Sequence, residues 1–390
     1  MVAKRLLLPL LVLALVAPAT AAAADPPPRI VGGTAADPGE YPAQAYIQVE
    51  TPDGIGVCGG TVIGERQVLT AAHCTIDDSA GNVLAPEAFV IALGENVIAP
   101  PDFSEVDASE IYNVTGVDAH EAFGSDPSGV GNDVAMLTLS RDAFPDPANP
   151  EVGRMLLVGP SETSLWDPGT SATIVGWGTT SSGGSSSDDL LEAQVPIVED
   201  QDCVDAYTVD PDGSGPGGPI PIDPDTMVCA GDGVHDTCQG DSGGPLMVPD
   251  SAGTDLVLAG VTSFGNDCAD PDYPGVYVRL GAPALNAWVR GRLYSVNFSQ
   301  APAFPTAGQP VGFAATAAQG GGFVWDFDGD GQFDASGASV SHTFPTAGVY
   351  RVVLRATDPE GQPAERERTV TVAAQSPAPA GGSGPDLTLP

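Results

Sequence analysis

Three short segments carry the side-chain types that nucleophilic catalysis requires. His73 follows one apolar run, Asp133 directly precedes another, and Ser242 stands among glycines in the run from Gly240 to Gly244. A serine hydroxyl is a weak nucleophile at neutral pH, so it needs a base such as imidazole, which a carboxylate can orient. Each residue also has a plain explanation: a satisfied histidine, an aspartate in a turn and a serine in a loop. The three indicate a hydrolase only if one fold brings them together.

The elements that must position these residues are short and β-rich. From Ile30 to about Tyr294, runs of Val, Ile, Leu and Thr alternate with clusters of Gly, Pro, Asp and Ser. Short strands separated by turn residues predict an all-β sandwich or barrel. One helix is predicted from Pro283 to Leu293, because Pro is favoured in a first helical turn and apolar residues follow on one face. The segment from Gly183 to Ser187 is expected to be a flexible surface loop.

Taken in the order His, Asp, Ser, these segments resemble the trypsin/chymotrypsin family of serine proteases. The resemblance covers residues 30 to 294 and includes the segments Arg29-Ile30-Val31-Gly32-Gly33, Gly176-Trp177-Gly178, Ser263-Phe264-Gly265 and Pro274-Gly275-Val276-Tyr277. It implies a two-barrel catalytic domain and a secreted serine endopeptidase that works through an acyl-enzyme. It also implies roles: Ser242 as nucleophile, His73 as base and Asp133 as the group that orients the base. The N–H groups of Gly240 and Ser242 would bind the oxyanion.

The cysteines fit the same interpretation. Six cysteines, an even number in a chain expected to be exported, favour disulfides over a metal or redox site. By resemblance, the pairs are Cys58–Cys74, Cys203–Cys229 and Cys238–Cys268. The first pair would tie down the segment that carries His73, and the third would brace the segment before Ser242.

The first 24 residues have the pattern of a signal peptide. Lys4 and Arg5 precede an apolar run from Leu6 to Val16, and small residues end at Ala24. The run has about 11 residues, whereas a membrane span needs about 20, so the pattern favours export and cleavage over an anchor. Residues 25–29 are expected to be a short propeptide, and the mature protein is expected to be extracellular.

The resemblance also implies an activation site at the bond between Arg29 and Ile30. Cleavage there would free an ammonium group at Ile30, which would pair with the carboxylate of Asp241 beside the nucleophile. A buried carboxylate without a partner is costly, so this pair would order the oxyanion segment and the pocket. A satisfied turn residue is the alternative explanation for Asp241.

Asp236 is the candidate selector of substrates. It stands six residues before Ser242, where the resembled family has the base of its specificity pocket. A negative charge there selects Arg or Lys by charge pairing. The other pocket residues implied by the resemblance are Ser263, Gly265, Gly275 and Tyr207. We therefore expect cleavage after Arg or Lys, a rule that Arg29 satisfies, although Asp236 could also be one more carboxylate of an acidic chain.

The chain is strongly acidic, with 51 acidic and 13 basic residues and a formal charge of −38. Such a field repels nucleic acid and anionic membranes, so the expected partners are protein or peptide substrates, and the enzyme is expected to be a monomer. Adaptation to high salt and compositional drift both explain the acidity. The only lysine, Lys4, lies in the predicted signal peptide, so a protease that cuts after basic residues offers itself few sites. Selection against self-cleavage and composition alone both explain this scarcity.

The implied mechanism requires no cofactor, but calcium is one expectation. Glu95 and Glu105 lie ten residues apart after Leu93-Gly94, as in the calcium loop of some members of the resembled family. Carboxylates are preferred ligands of hard cations. In so acidic a chain, ordinary surface carboxylates are the alternative.

Residues 295–373 form a second β-rich segment. Alternating apolar residues with turn breaks predict a small β-sandwich. The segments Phe323-Val324-Trp325-Asp326-Phe327 and Gly348-Val349-Tyr350-Arg351-Val352 resemble a PKD domain, an immunoglobulin-like module. Its acidic residues Asp326, Asp328, Asp330 and Asp334 resemble a calcium loop, and a plain acidic turn explains them as well. Residues 374–390, rich in Pro, Gly, Ser and Ala, are expected to be disordered.

One alternative function remains for the whole chain. A binding protein built on a protease fold could attach to a surface or a substrate through the PKD-like module. The complete set of three catalytic residues, with an oxyanion segment and an activation site, favours the enzyme.

Overall fold

The computed structural model describes residues 30–52, 54–77, 81–98, 103, 106–126, 129–143, 152–208, 220–293, 296–317, 321–357 and 363–375. The predicted signal peptide, the propeptide with Arg29, Glu105 and residues 376–390 lie outside the described part.

The described chain is mostly β, as the sequence predicts. Its strands are β1 (Thr34–Ala35), β2 (Gln44–Thr51), β3 (Gly54–Val62), β4 (Gln67–Thr70), β5 (Phe89–Leu93), β6 (Ile111–Ala119), β7 (Ala135–Leu139), β8 (Ser171–Gly176), β9 (Leu191–Pro196), β10 (Met227–Ala230), β11 (Pro245–Pro249), β12 (Leu256–Phe264), β13 (Gly275–Arg279), β14 (Val296–Ala301), β15 (Pro310–Ala317), β16 (Gly321–Asp326), β17 (Ala335–Ser336), β18 (Ser339–Thr343), β19 (Gly348–Thr357) and β20 (Pro363–Val372). The α-helices are α1 (Asp200–Thr208) and α2 (Pro283–Leu293), and short 3₁₀ helices cover His73–Thr75, Pro86–Ala88 and Thr163–Trp166.

The first barrel is a closed antiparallel sheet of six strands in the order β2-β3-β4-β7-β6-β5. Every second residue of β2, namely Ala45, Ile47 and Val49, points into the barrel core, which excludes water. Side chains of a strand alternate between faces, so these three residues share the inward face of β2. Closure also removes exposed strand edges.

The second barrel is built from a seven-stranded antiparallel sheet in the order β1-β9-β8-β11-β12-β13-β10. Its far ends meet, because Ile197, which follows β9, bridges Ala230 of β10. The N–H of Val198 also donates to the carbonyl of Cys229 at 2.9 Å. Together with the first barrel, this gives the two-barrel architecture that the resemblance implied.

Glycines allow the two barrels to approach closely. A Cβ at Gly59 would lie 2.9 Å from the Cα of Gly244, and a Cβ at Gly243 would lie 2.1 Å from Oγ1 of Thr70. Gly243 also has a φ of 83°, a conformation that glycine adopts at little cost. The N–H of Gly59 donates to the carbonyl of Ser242 at 2.8 Å. The Ser242 segment of the second barrel therefore lies directly on β3 and β4 of the first.

The predicted helix α2 has the expected bounds. Its Trp288 is buried, and the indole N–H donates to Glu121 at 2.8 Å. The guanidinium of Arg292 lies 3.8 Å from the centre of the Trp288 ring and forms an ion pair with Asp118 at 2.6 Å. These contacts fasten the helix to the end of β6.

The C-terminal strands form the predicted β-sandwich. One sheet has the order β14-β15-β18 and the other has the order β17-β16-β19-β20. An aromatic core lies between them, in which Trp325 is fully buried and Phe313, Phe327 and Phe344 are almost so. This segment has a hydrophobic core of its own.

Three disulfides join the pairs that the resemblance implied. Their Cα–Cα distances are 6.4 Å for Cys58–Cys74, 6.0 Å for Cys203–Cys229 and 5.3 Å for Cys238–Cys268. In the part of the chain that the structure describes, no helix is long and apolar enough to cross a membrane.

Candidate active site

Strand pairing in the first barrel brings His73 and Asp133 together. In the antiparallel pair of β4 and β7, Thr70 lies opposite Ala135. His73 follows Thr70 by three residues and Asp133 precedes Ala135 by two, so both leave the sheet at the same end. Asn132, with a φ of 59°, turns the chain just before Asp133, and asparagine tolerates this left-handed conformation better than most residues.

Asp133 is almost fully buried, with 2% of its surface exposed, and its carboxylate accepts three hydrogen bonds. Oδ1 accepts the backbone N–H of His73 at 2.8 Å, and Oδ2 lies 2.7 Å from Nδ1 of His73. Oδ2 also accepts the hydroxyl of Ser263 at 2.6 Å. An ionised carboxylate can only accept, so it favours the tautomer with hydrogen on Nδ1. The lone pair on Nε2 is then available to take a proton.

The backbone of Ser242 lies near the same imidazole. Sγ of Cys74 is 3.7 Å from Nε2 of His73 and also 3.7 Å from the carbonyl oxygen of Ser242. A disulfide sulfur carries no hydrogen, so both are packing contacts. The Cys58–Cys74 bridge thus contacts both the imidazole and the serine segment.

The backbone around Ser242 provides two adjacent donors. The N–H groups of Asp241, Gly243 and Gly244 donate to backbone carbonyls at 3.0, 2.8 and 2.8 Å. Within the described residues, the N–H groups of Gly240 and Ser242 have no such acceptor. Gly240 has a φ of 98°, which disfavours any residue with a Cβ. Two backbone donors close to one serine form a site for a negatively charged oxygen.

A cavity of about 130 Å³ opens next to Ser242. Its walls include Ser263, Phe264, Gly265, Cys268 and Gly275, and Asp236 lies among them. Only 4% of the Asp236 surface is exposed. Oδ2 accepts the N–H of Ala269 at 2.9 Å, while Oδ1 is buried without a hydrogen-bond partner.

Burial raises the pKa of Asp236 to about 6, although hydrogen bonds from Ala269 and Thr237 oppose the shift. A Cβ at Gly275 would lie 2.8 Å from Oδ1, so glycine leaves space at this oxygen. Within the described residues, Asp236 has no ion pair with a basic side chain. A buried carboxylate with one free oxygen is a site for a cation.

Asp241 is the other buried carboxylate, with 1% of its surface exposed. Oδ1 accepts the N–H of Gly178 at 2.8 Å and Oδ2 accepts the N–H of Cys238 at 2.9 Å. Burial raises its pKa to about 7 despite both bonds. A Cβ at Gly176 or Gly178 would lie 2.0 or 2.4 Å from a carboxylate oxygen, so the Gly-Trp-Gly segment leaves room for this group.

The start of the described chain lies beside Asp236. Ile30 is fully buried, and the carbonyl of Val31 accepts the N–H of Asp236 at 3.2 Å. The ring of His235 packs on Gly32, where an added Cβ would lie 2.7 Å from the ring. Ile30 and Asp241, the two described residues of the predicted activation set, therefore lie in the interior, and Arg29 is outside the described residues.

Two candidate residues lie away from the pocket. Tyr207 does not line it; the tyrosine is buried, its hydroxyl donates to the carbonyl of Pro274 at 2.7 Å, and its ring meets that of Phe264 edge-on. It supports the wall from behind. Glu95 is partly buried, and its proposed calcium partner Glu105 lies outside the described residues.

The acidic turn of the C-terminal sandwich brings three carboxylates together. Oxygens of Asp326, Asp328 and Asp334 lie within 4.8 Å of one another, and Asp326 also accepts backbone N–H groups from residues 328, 329 and 331. Each carboxylate oxygen has a second lone pair, so this group can hold a cation, and calcium stays a prediction beside the plain acidic turn.

The sequence interpretation overlooked Gln239 and Phe264, which also line the cavity. Gln239 accepts a hydrogen bond from Oγ1 of Thr179 at 3.0 Å and another from the N–H of Gly183 at 3.2 Å. It therefore anchors the loop that was expected to be flexible. The sequence signal for Gln239 was its position directly after Cys238.

Comparison with known proteins agrees with this geometry. Residues 30–289 match the Trypsin family, and residues 296–373 match the PKD domain family. The chain belongs to the trypsin family of serine proteases. By this membership it is a serine endopeptidase, and its peptidase domain is followed by a PKD domain. Proteases of this family need no cofactor.

Several named proteases are similar to this chain. A trypsin from Saccharopolyspora erythraea is 35% identical over 255 residues, which cover 65% of this chain and 94% of the relative. Trypsin-1 from Astacus astacus is 36% identical over 255 residues, covering 64% and 95% of the two chains. Trypsin zeta from Drosophila melanogaster is 36% identical over 278 residues, covering 68% and 85%.

Proposed function

We propose that this protease hydrolyses peptide bonds after Arg and Lys through an acyl-enzyme on Ser242. His73 takes the hydroxyl proton at Nε2 while Oγ attacks the carbonyl carbon of the substrate. Asp133 holds Nδ1–H and stabilises the imidazolium that forms, as its 2.7 Å contact supports. The imidazolium then protonates the leaving amine and the C–N bond breaks. A water molecule, deprotonated in the same way, hydrolyses the ester and frees Ser242.

The oxyanion of each tetrahedral intermediate is bound by the N–H groups of Gly240 and Ser242. Their lack of an internal acceptor within the described residues supports this role. Loss of one such donor typically raises the barrier by about 3 kcal/mol. Ser263 is a positioning residue, because its hydroxyl keeps Oδ2 of Asp133 directed at the imidazole.

The single observation that carries the specificity is the free Oδ1 of Asp236. It lies buried in the cavity beside the nucleophile, in a carboxylate whose pKa is raised by burial. A guanidinium or ammonium group entering the cavity gives this oxygen a partner and supplies the opposite charge. Gly265 and Gly275 keep the walls free of side chains, and Tyr207 supports the wall from behind.

Digestion of a denatured protein mixture, with mass spectrometry of the new C-termini, tests this specificity. The expected result is that the new ends are Arg or Lys. The matched variant is Asp236→Asn, which keeps the volume and removes the charge, and it should lose the preference. New C-termini that are mainly apolar residues would overturn the assignment of Asp236.

Activation belongs to the same proposal. Cleavage after Arg29 creates the ammonium group of Ile30, which supplies the buried Asp241 with an ion-pair partner. The burial of Ile30 and the raised pKa of Asp241 support this. Pairing lowers that pKa and stabilises the segment between Cys238 and Ser242 in the form that binds the oxyanion.

The remaining proposals concern the division of the chain, its location and its partners. We place a signal peptide at residues 1–24, a propeptide at 25–29, the peptidase domain at 30–294, the PKD domain at 295–373 and a tail at 374–390. The three disulfides support an extracellular location. The substrates are proteins and peptides, and the working unit is a monomer. Calcium at Glu95 and Glu105 stays a prediction.

A further inference from the structure

The basic residues of this chain are few and unevenly placed. Removing Lys4, Arg5 and Arg29 from the 13 basic residues leaves ten, all of them arginines and all in described parts of the chain. None occurs between Arg154 and Arg279, although at the chain's own frequency about four are expected there. That stretch includes the segments that border the active-site cavity.

The arginines of the first barrel lie in hydrogen-bonded backbone. The carbonyl of Arg66 accepts the N–H of Leu139 at 2.8 Å, and the N–H groups of Ser140 and Ala143, on either side of Arg141, donate to backbone carbonyls at 2.8 and 2.6 Å. Arg154 is exposed, yet the N–H groups of residues 153 and 155 donate to backbone carbonyls at 2.8 and 2.9 Å. The backbone is therefore hydrogen-bonded on both sides of Arg154.

The arginines near the end of the peptidase domain lie in regular structure. Arg279 ends β13, its side chain donates to the carbonyl of Met227 at 2.9 Å, and the N–H of Leu280 donates to a backbone carbonyl at 3.0 Å. Arg290 and Arg292 lie inside α2. A helical bond cannot enter a cleft that binds extended chains unless the helix opens.

The PKD domain holds its four arginines in one strand pair. Arg351 and Arg355 lie on β19 and form ion pairs with Glu367 and Glu365 of β20 at 2.7 and 2.5 Å. The other two, Arg366 and Arg368, lie on β20 itself, which pairs with β19 over ten residues. From Leu293 to Tyr350, a stretch that includes the connection between the domains, the sequence has no lysine or arginine.

We propose that the activated enzyme cannot cut a folded second copy of this chain after any of these ten arginines. The inference rests on the proposed cleavage after Arg and Lys. Proteolysis of a folded chain requires local opening around the bond, and regular, hydrogen-bonded segments open rarely. Activation between copies would therefore run to completion without degradation, and the PKD domain would stay attached.

The test uses full-length Ser242→Ala protein as an inactive substrate for a catalytic amount of activated enzyme. Intact mass is followed over a day. The expected result is one cut, after Arg29, with every other bond at least about a hundredfold slower, as for segments that are open in about one per cent of molecules or fewer. Rapid cutting of the folded substrate after any of the ten arginines would overturn the inference.

Two further variants of the Ser242→Ala substrate separate backbone protection from mere scarcity of basic residues. Ser251→Arg places an arginine in the exposed turn between β11 and β12 and should create a second rapid cut. The matched control is Asn113→Arg, which places an exposed arginine on β6, between β5 and β7. It should create no cut. If the turn variant is not cut, or the β6 variant is cut as fast as the turn variant, the inference fails.

Failure of the specificity itself would look different. The same enzyme is given the Ser242→Ala chain after reduction, alkylation and denaturation. Cuts after its arginines are expected and support the proposed function. Cuts after other residues, or none, would overturn the proposed function. Cuts at arginines in both the folded and the denatured chain would overturn only the self-protection.

Discussion

The buried carboxylate of Asp236 should make amidine binding depend on pH in the acid range. Burial raises its pKa from 3.8 to about 6, a change of about two units or about 3 kcal/mol. A cation such as benzamidine binds only the ionised carboxylate, so protonation competes with binding. At pH 8 the site is ionised and affinity is full. At pH 5 about one site in eleven is ionised, so the Kd should be weaker by about tenfold.

Isothermal titration of the activated enzyme with benzamidine between pH 5 and pH 8 measures this directly. Asp236→Asn should bind far more weakly at every pH, by about two orders of magnitude or more, because the cation would be buried without a counter-charge. Its affinity should show no step near pH 6. His73→Gln removes the imidazole and leaves the pocket intact, so the pH dependence should persist in that variant. A constant Kd across this range in the wild-type enzyme would refute the reasoning.

Three other changes test the surroundings of the site. Ile30→Gly removes a fully buried side chain that stabilises the inserted terminus by about 2–3 kcal/mol, so kcat/KM should fall by tens-fold or more; unchanged turnover would exclude the proposed lock. Gly178→Ala should lower both the Tm and the activity, since its Cβ would lie 2.4 Å from Oδ2 of Asp241; a wild-type Tm would show that the carboxylate can move aside. Ser263→Ala removes one hydrogen bond to Asp133 and should lower kcat several-fold with little change in KM; a shift confined to KM would point to substrate contact instead.

The candidate catalytic set could be predicted from the sequence because its signals are local. His73, Asp133 and Ser242 each stand next to recognisable strands or glycines, and resemblance implied their roles and the cysteine pairs. The structure adds the reason that they meet. The register of β4 with β7 places His73 and Asp133 at one end of the sheet, and Gly59 lets the Ser242 segment approach.

Other features depend on contacts between residues far apart in sequence, and no local pattern indicates them. The free Oδ1 of Asp236 follows from how Ala269 binds the other oxygen. Tyr207 was expected on the pocket wall, but its bond to Pro274 places it behind Phe264. Composition alone predicted a flexible loop near Gly183, because the anchoring by Gln239 involves a side chain 56 residues away.

The central claim is that Ser242 is the nucleophile of a protease that selects basic side chains. It is tested most directly by labelling the activated enzyme with a diphenyl phosphonate that carries an amidinophenyl group, followed by intact mass and peptide mapping. The account predicts one phosphonate per chain, attached to Ser242, with much slower labelling by the phenyl analogue and none after His73→Ala. Labelling at another residue, or equal rates for the charged and neutral reagents, would contradict it.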